Sequence, residues 1–348
     1  MKSKIVKNLL IGVSTLVCLV VAIGGAFVLG LYTSPNLFVY LLRQMPDAIV
    51  AEPFDEYNEI EDEIEFIGDI TYDSIFDDNQ LDIYYPKDYS EPLPTVVWIH
   101  GGSFIGGDKS SLKFFGSLLA SRGFSFVSIN YEVAPENVYP GPTIQLGEAV
   151  TFLKNNVDTY TMLDMNKVII GGDSAGGQIA AQYSLVQTIP SLASEMGIEP
   201  SLDKDKFIAS LLFCGPYDLA ELKINSTRLA DSPSGLINLF ISYIGWSYFG
   251  YQDWRNGDQI SQTDIVAQVT QDFPPTYLTD GNNISFMEHA EKLYAKLQEL
   301  GVTSDAYFPS EENVGEDFNH EYQFNFTDYH DAAIENLNRT SDFLSDLI

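Results

Sequence analysis

Val168-Ile169-Ile170-Gly171-Gly172-Asp173-Ser174-Ala175-Gly176-Gly177 is the stretch on which the reading of this chain turns. An apolar, β-branched run leads into Gly-x-Ser-x-Gly, and Gln178-Ile179-Ala180-Ala181-Gln182 continues as a helix former. Between a strand and a helix, that pentapeptide makes a nucleophile elbow, a strained turn that holds the serine hydroxyl above the sheet. Gly172 and Gly176 leave space where side chains would collide across the turn. The helix start behind Ser174 favours developing negative charge. Taken alone, the five residues also describe a small-residue turn with an exposed serine, so the surrounding chain must discriminate.

From Glu65 onward, strand and helix signals alternate. Strands are predicted at Phe66–Tyr72, Leu81–Tyr85, Thr95–His100, Ser125–Tyr131, Lys167–Gly171, Phe207–Phe213, Pro275–Thr279 and Ser304–Phe308. The first two form a hairpin through Asp77-Asp78-Asn79. Several others are short apolar runs, as expected of strands buried on both faces. Helices are predicted at Leu112–Arg122, Ile144–Asn155, Gly177–Val186, Glu288–Leu300 and His330–Leu347. This alternation predicts an α/β domain over 65–348, with a mostly parallel eight-stranded sheet and helices on both faces. Within it, 219–271 breaks the pattern and is rich in aromatics (Phe240, Tyr243, Trp246, Tyr248, Phe249, Tyr251, Trp254). That stretch reads equally as a cap over an apolar pocket and as an excursion with its own core.

Val96-Val97-Trp98-Ile99-His100-Gly101-Gly102-Ser103-Phe104 ends a second strand in His-Gly-Gly. A tetrahedral oxyanion needs two or three backbone N–H donors at about 3 Å, and glycines let backbone approach substrate that closely. Gly101 and Gly102, with Ala175 after the serine, are the expected donors.

Three segments carry a family resemblance: His100-Gly101-Gly102 with Gly106-Gly107-Asp108, Asn130-Tyr131-Glu132-Val133-Ala134-Pro135-Glu136-Asn137-Val138-Tyr139-Pro140, and Gly172-Asp173-Ser174-Ala175-Gly176. In order and spacing the chain resembles the hormone-sensitive-lipase-like carboxylesterases of the α/β-hydrolase fold, over roughly Glu65 to the C-terminus. The resemblance implies a serine esterase without a cofactor. Ser174 attacks the ester carbonyl, a histidine takes its proton, and water releases the acyl group. It also implies the chain order Ser, acid, His. His320, in Phe318-Asn319-His320-Glu321-Tyr322, follows the last strand as the family's histidine does. His330 lies inside the final helix, His289 precedes the last strand, and His100 is read as structural. At the acid the sequence departs from the family. After Pro274-Pro275-Thr276-Tyr277-Leu278-Thr279 comes Asp280-Gly281-Asn282-Asn283-Ile284, with Ile284 where the family has its catalytic Asp. Asp280 at the strand end is the first candidate, equally readable as a turn residue. Glu288 is the second, and Asn283 can orient an imidazole but not stabilise its charge.

Formal net charge is -31, which repels nucleic acid. Two cysteines, Cys18 and Cys214, are poorly placed to pair, and the four histidines lack metal-ligand spacing, so neither a disulfide nor a metal site is expected. Leu9 to Tyr32 carries no charge, and at helical rise it is about 36 Å long against a hydrocarbon core of about 30 Å. Lys2, Lys4 and Lys7 precede it, and all 49 acidic residues follow it. The expected layout is a cytoplasmic tail (1–8), a transmembrane signal anchor (9–32), an amphipathic and acidic linker (33–64) and an extracytoplasmic domain. Cleavage near Ala22–Ala26, giving a secreted form, is the alternative. Asp55 to Glu65, seven acids in eleven residues, is expected to be solvated linker.

The sequence therefore points to a membrane-anchored serine hydrolase acting on small esters. An amidase or peptidase on the same triad is one alternative. A surface binding module that keeps the fold is another, motivated by Ile284. Nothing in the sequence sets the oligomeric state.

Overall fold

The computed structural model describes residues 22, 24–45, 53–222, 234–309 and 316–348. Its strands are β1 (Ile64–Thr71), β2 (Gln80–Pro86), β3 (Leu93–Ile99), β4 (Ser125–Ile129), β5 (Leu163–Asp173), β6 (Phe207–Phe213), β7 (Thr276–Thr279) and β8 (Ser304–Tyr307). They form one sheet in the order β1-β2-β4-β3-β5-β6-β7-β8. β1 pairs antiparallel with β2, β2 antiparallel with β4, and every other pair is parallel. The inversion of β3 and β4 and the long β5 place the C-terminal ends of β3, β5, β6 and β7 side by side, and the site is built there.

Between the strands lie α1 (Asp55–Ile60), α2 (Lys113–Ala120), α3 (Gly141–Asn155), α4 (Ala175–Thr188), α5 (Pro190–Met196), α6 (Ser234–Phe249), α7 (Ile265–Gln268), α8 (Met287–Glu299) and α9 (His330–Ser345). Strand side chains alternate between the two sheet faces. Val96, Trp98, Phe126, Ile169, Phe213 and Tyr277 pack with Phe115 and Leu119 of α2 and Ala333, Leu337 and Leu344 of α9. The intervening Val97, Ile99, Val127, Ile170, Leu212 and Leu278 are equally buried, on the opposite face. Burial on both sides is why these strands read as continuous apolar runs.

Lys109 anchors the loop after β3. Its ammonium lies 2.8 Å from Asp69 and 3.0 Å from the buried Asp82, and its backbone N–H donates to Asn130 Oδ1 at 2.6 Å. A buried charge is tolerated when paired in this way. The pairing fixes the end of the Gly106-Gly107-Asp108 motif against β1 and β2.

Two expectations change. The acidic stretch from Asp55 is not bare linker: α1 and a following 3₁₀ turn (Glu61–Glu63) occupy it. Tyr57 is buried, its ring 4.6 Å from Phe114, and Phe54 stacks on Phe326 at 4.6 Å. Two aromatics outweigh the acids here, which stay largely on the outer side. The second change concerns 219–271. Its described part contains the sixteen-residue α6, whose composition is apolar almost all round, so it lacks the 3.6-residue alternation that reveals a surface helix.

The chain divides into two compact units, Met1–Pro46 and Asp47–Ile348. Most of the uncharged run 9–32 lies outside the described residues. Its described end, Gly24–Thr33, is helical and bends by 103° into Asn36–Leu42. No single helix among the described residues is long and apolar enough to cross a membrane.

Candidate active site

Ser174 stands between β5 and α4 with φ 51° and ψ -118°. A non-glycine residue there is strained, and such strain persists only where the surroundings enforce it. Ser174 N–H donates to Phe213 O of β6 at 2.9 Å. A Cβ on Gly172 would sit 2.3 Å from Gly176 O, and one on Gly176 would sit 2.0 Å from Ile99 O. Both glycines are therefore demanded by backbone crossing backbone.

His320 Nε2 lies 2.9 Å from Ser174 Oγ. The histidine arrives on the segment after β8, which is zipped to the segment after β7. Asn283 N–H donates to Phe318 O and His320 N–H to Asn283 O, both at 3.0 Å, and Asn283 Nδ2 donates to Asn319 Oδ1 at 2.7 Å. Asn283 thus positions the histidine through backbone bonds. Phe286 sets its edge on the imidazole, with centroids 5.3 Å apart.

Asp280 is fully buried, and its carboxylate accepts N–H bonds from Gly281 and Phe286, each 2.8 Å. Asp280 Oδ1 is 3.6 Å from His320 Nδ1. That is ion-pair distance, longer than a hydrogen bond, as is common before substrate binds. Burial alone pushes His320 down. The carboxylates of Asp280 and Glu321, with Asp173, outweigh that and hold its imidazolium above the ordinary histidine range. Burial pushes the Asp280 carboxyl up against the opposing pull of His320. Glu288, the other candidate acid, is exposed on the first turn of α8 and makes no described contact with His320.

The structure corrects one proposed donor. Gly101 N–H donates to Asp173 Oδ2 at 2.8 Å, while Asp173 Oδ1 accepts from Trp98 Nε1 at 2.7 Å. The Gly101 N–H is therefore committed to the protein and cannot serve an oxyanion. Gly102, Ser103 and Ala175 N–H groups have no acceptor among the described residues. Gly102 has φ +116°, and a Cβ there would lie 2.1 Å from Gly106 O, so only glycine fits this turn. Ser103, directly after the glycine pair, thus joins Gly102 and Ala175 as a candidate donor. Tyr131 and Ala134 brace the loop: the Tyr131 ring stacks on His100 at 4.7 Å, its hydroxyl donates to His100 O, and Ala134 N–H donates to Phe104 O.

The remaining histidines are accounted for. His100 is buried with Nδ1 2.6 Å from Gly101 O. His289 accepts from Asp218 N–H at 3.2 Å, and His330 pairs with Glu56 at 2.9 Å. Among the described residues one group of potential metal donors converges, Cys214, Asp280 and His320. Two of the three already belong to the hydrogen-bonded and ion-paired array at Ser174. Cys18 lies outside the described residues.

A family model, BD-FAE, matches residues 81–297, a range that contains the elbow and the His-Gly-Gly loop. The chain belongs to the BD-FAE family. This BD-FAE member is similar to a protein of Acanthamoeba polyphaga mimivirus named as an alpha/beta hydrolase: 29% identity over 227 residues, covering 63% of this chain and 60% of that one. The esterase LipC of Mycobacterium tuberculosis is 30% identical over 127 residues, 35% of this chain and 31% of its own. The chain thus spans less than two thirds of these relatives. Among solved structures, esterase B from Lactobacillus rhamnosis superposes with a TM-score of 0.66 at 21% identity, covering 82% of this chain and 87% of that one. A Pyrobaculum calidifontis esterase gives 0.62 at 19% identity, covering 90% of each. The fold of this BD-FAE member is the α/β-hydrolase fold.

Proposed function

We propose that this chain is a serine hydrolase that cleaves small carboxylic esters through an acyl-enzyme on Ser174. The observation that carries the reading is His320 Nε2 at 2.9 Å from Ser174 Oγ. His320 takes the hydroxyl proton as Oγ attacks the carbonyl, then hands it to the leaving alkoxide. Asp280 holds the ring tautomer and stabilises the imidazolium. The developing oxyanion is received by Gly102, Ser103 and Ala175 N–H groups. Phe104 stacks on Tyr248 of α6, centroids 3.9 Å apart, which braces the oxyanion loop from behind. Asp280 beside His320 favours catalysis over a binding module despite Ile284. The motifs around His100, Tyr131 and Ser174 favour the hormone-sensitive-lipase-like branch. Lys2, Lys4 and Lys7 before the uncharged run favour a membrane-anchored protein with its catalytic domain outside.

The test is covalent labelling by a fluorophosphonate, with turnover of 4-nitrophenyl acetate measured on the same preparation. Labelling mapped to Ser174 supports the reading, and neither labelling nor turnover sinks it.

Asp173 holds the oxyanion loop in this scheme, which gives a separate prediction. In Asp173→Asn the new NH₂ faces either Gly101 N–H or Trp98 Nε1–H, both donors. Leaving one unsatisfied costs about 1–3 kcal/mol, read as a lowered Tm. The loosened turn lowers kcat by about tenfold, less than the 10²–10³ or so that accompanies loss of an oxyanion donor. An unchanged Tm would show that the Asp173 bonds carry no stability.

A further inference from the structure

We propose that the Glu321 carboxylate is a further catalytic group of this site: it holds the water that releases the acyl group from Ser174. The proposal rests on the serine-esterase reading and extends it to the second half-reaction.

Glu321 follows His320 with φ 62° and ψ 23°, a left-handed conformation that costs a glutamate about 1 kcal/mol or more. That turn brings the side chain back over the elbow. Its Oε1 lies 3.9 Å from His320 Nε2, and a Cβ on Gly101 would be 3.0 Å from it and 3.0 Å from Ser174 Cβ. The carboxylate therefore lies beside the nucleophile, between the histidine and the His-Gly-Gly loop. Its side chain is 28% exposed, and it accepts no hydrogen bond from any described residue.

Stability does not account for this placement. Burial pushes the Glu321 carboxyl up; only His320 opposes, and the carboxylates of Asp173 and Asp280 push it further. An apolar residue here would suit the fold better. The chemistry does account for it. His320 Nε2 meets first Ser174 Oγ, then the leaving alkoxide, then water. The alkoxide needs one proton from the histidine. Water brings two protons, and His320 accepts only one of them. Two acceptors 3.9 Å apart can share one water at ordinary hydrogen-bond lengths. In deacylation the water oxygen bonds to the acyl carbon as one proton passes to His320 Nε2. The other proton stays on that oxygen, hydrogen-bonded to Glu321. The bond from the acyl carbon to Ser174 Oγ then breaks, His320 returns its proton to Oγ, and the carboxylic acid departs.

The experiment follows partition of the acyl-enzyme. The full chain is given 4-nitrophenyl acetate in water with methanol as a competing acceptor, and acetate and methyl acetate are quantified. Methanol brings one proton and needs only His320. In Glu321→Ala, assayed at a pH above the acid limb where His320 is neutral, the methyl acetate to acetate ratio rises about tenfold over the unmodified protein, below the 10²–10⁴ or so typical of a full general acid or base, while release of the first 4-nitrophenolate equivalent slows by less than release of acetate. Glu321→Gln, which keeps an amide oxygen as acceptor, falls between, and it carries the test if the alanine variant does not fold. An unchanged ratio in the folded variants, or acylation and deacylation falling together, overturns the proposal. Absence of both 4-nitrophenyl acetate turnover and fluorophosphonate labelling in the unmodified protein overturns the esterase reading itself, and with it this extension.

Discussion

Ser174→Ala is expected to lower kcat for 4-nitrophenyl acetate by about 10⁶, leaving a residual rate of about 10³ over water from the oxyanion donors and binding. The magnitude follows from non-additivity. Once Oγ is gone, His320 has no nucleophile to activate and Asp280 no imidazolium to stabilise, so one substitution removes the work of all three. The variant should keep its Tm, because the Ser174 side chain makes a single hydrogen bond, to His320 Nε2. The elbow itself is held by Ser174 N–H on Phe213 O and by the glycine crossings. Fluorophosphonate labelling should vanish with the activity. Turnover within about tenfold of the unmodified protein would place the nucleophile elsewhere, since loss of a triad nucleophile has far larger effects.

The elbow was legible because its requirements are local. A strand, two glycines and a helix must be contiguous, and the sequence writes them contiguously in Val168–Gly177. The sheet was legible for a similar reason: short β-branched runs bounded by turn residues fit few other structures. What escaped depends on distance. Asp173 and Gly101 are 72 positions apart, and only the fold shows that one carboxylate consumes the other's N–H. α6 escaped because it is apolar nearly all round and carries no face to read. α1 is hidden in the sequence because the surrounding acids mask Phe54 and Tyr57, the two aromatics that dock it. Asp280 was legible only as a candidate. Ile284 occupies the family's acid position yet is exposed with φ 51°, and the carboxylate that meets His320 comes from four residues earlier. The bond between Asn283 and the His320 segment makes that substitution workable: it draws the histidine loop to the end of β7, where Asp280 already is.

Asp280→Asn should lower kcat by about 10⁴, by analogy with the loss of a triad acid. The two oxygens of Asp280 are both occupied: Oδ1 accepts from Gly281 N–H and faces His320 Nδ1, and Oδ2 accepts from Phe286 N–H. An asparagine must place NH₂ on one side. Toward Phe286 it opposes a donor and loses a bond. Toward His320 it donates to Nδ1, which forces the proton onto Nε2 and leaves that nitrogen unable to accept from Ser174. Either placement damages the site, and the second stops the base. The pH profile supplies an independent sign. The base must be neutral, and neighbouring carboxylates hold the His320 imidazolium above its ordinary range, so the acid limb of kcat/KM should lie above the usual histidine value. Removing the Asp280 charge removes part of that stabilisation, so the limb in Asp280→Asn should move to lower pH even as the rate falls. Glu288→Gln, changed on the exposed first turn of α8, should alter neither rate nor limb. If Glu288→Gln instead reproduced the loss and Asp280→Asn did not, the acid would have to reach His320 from α8. That would require undoing the Asn283–Phe318 and His320–Asn283 bonds that hold the imidazole over Asp280.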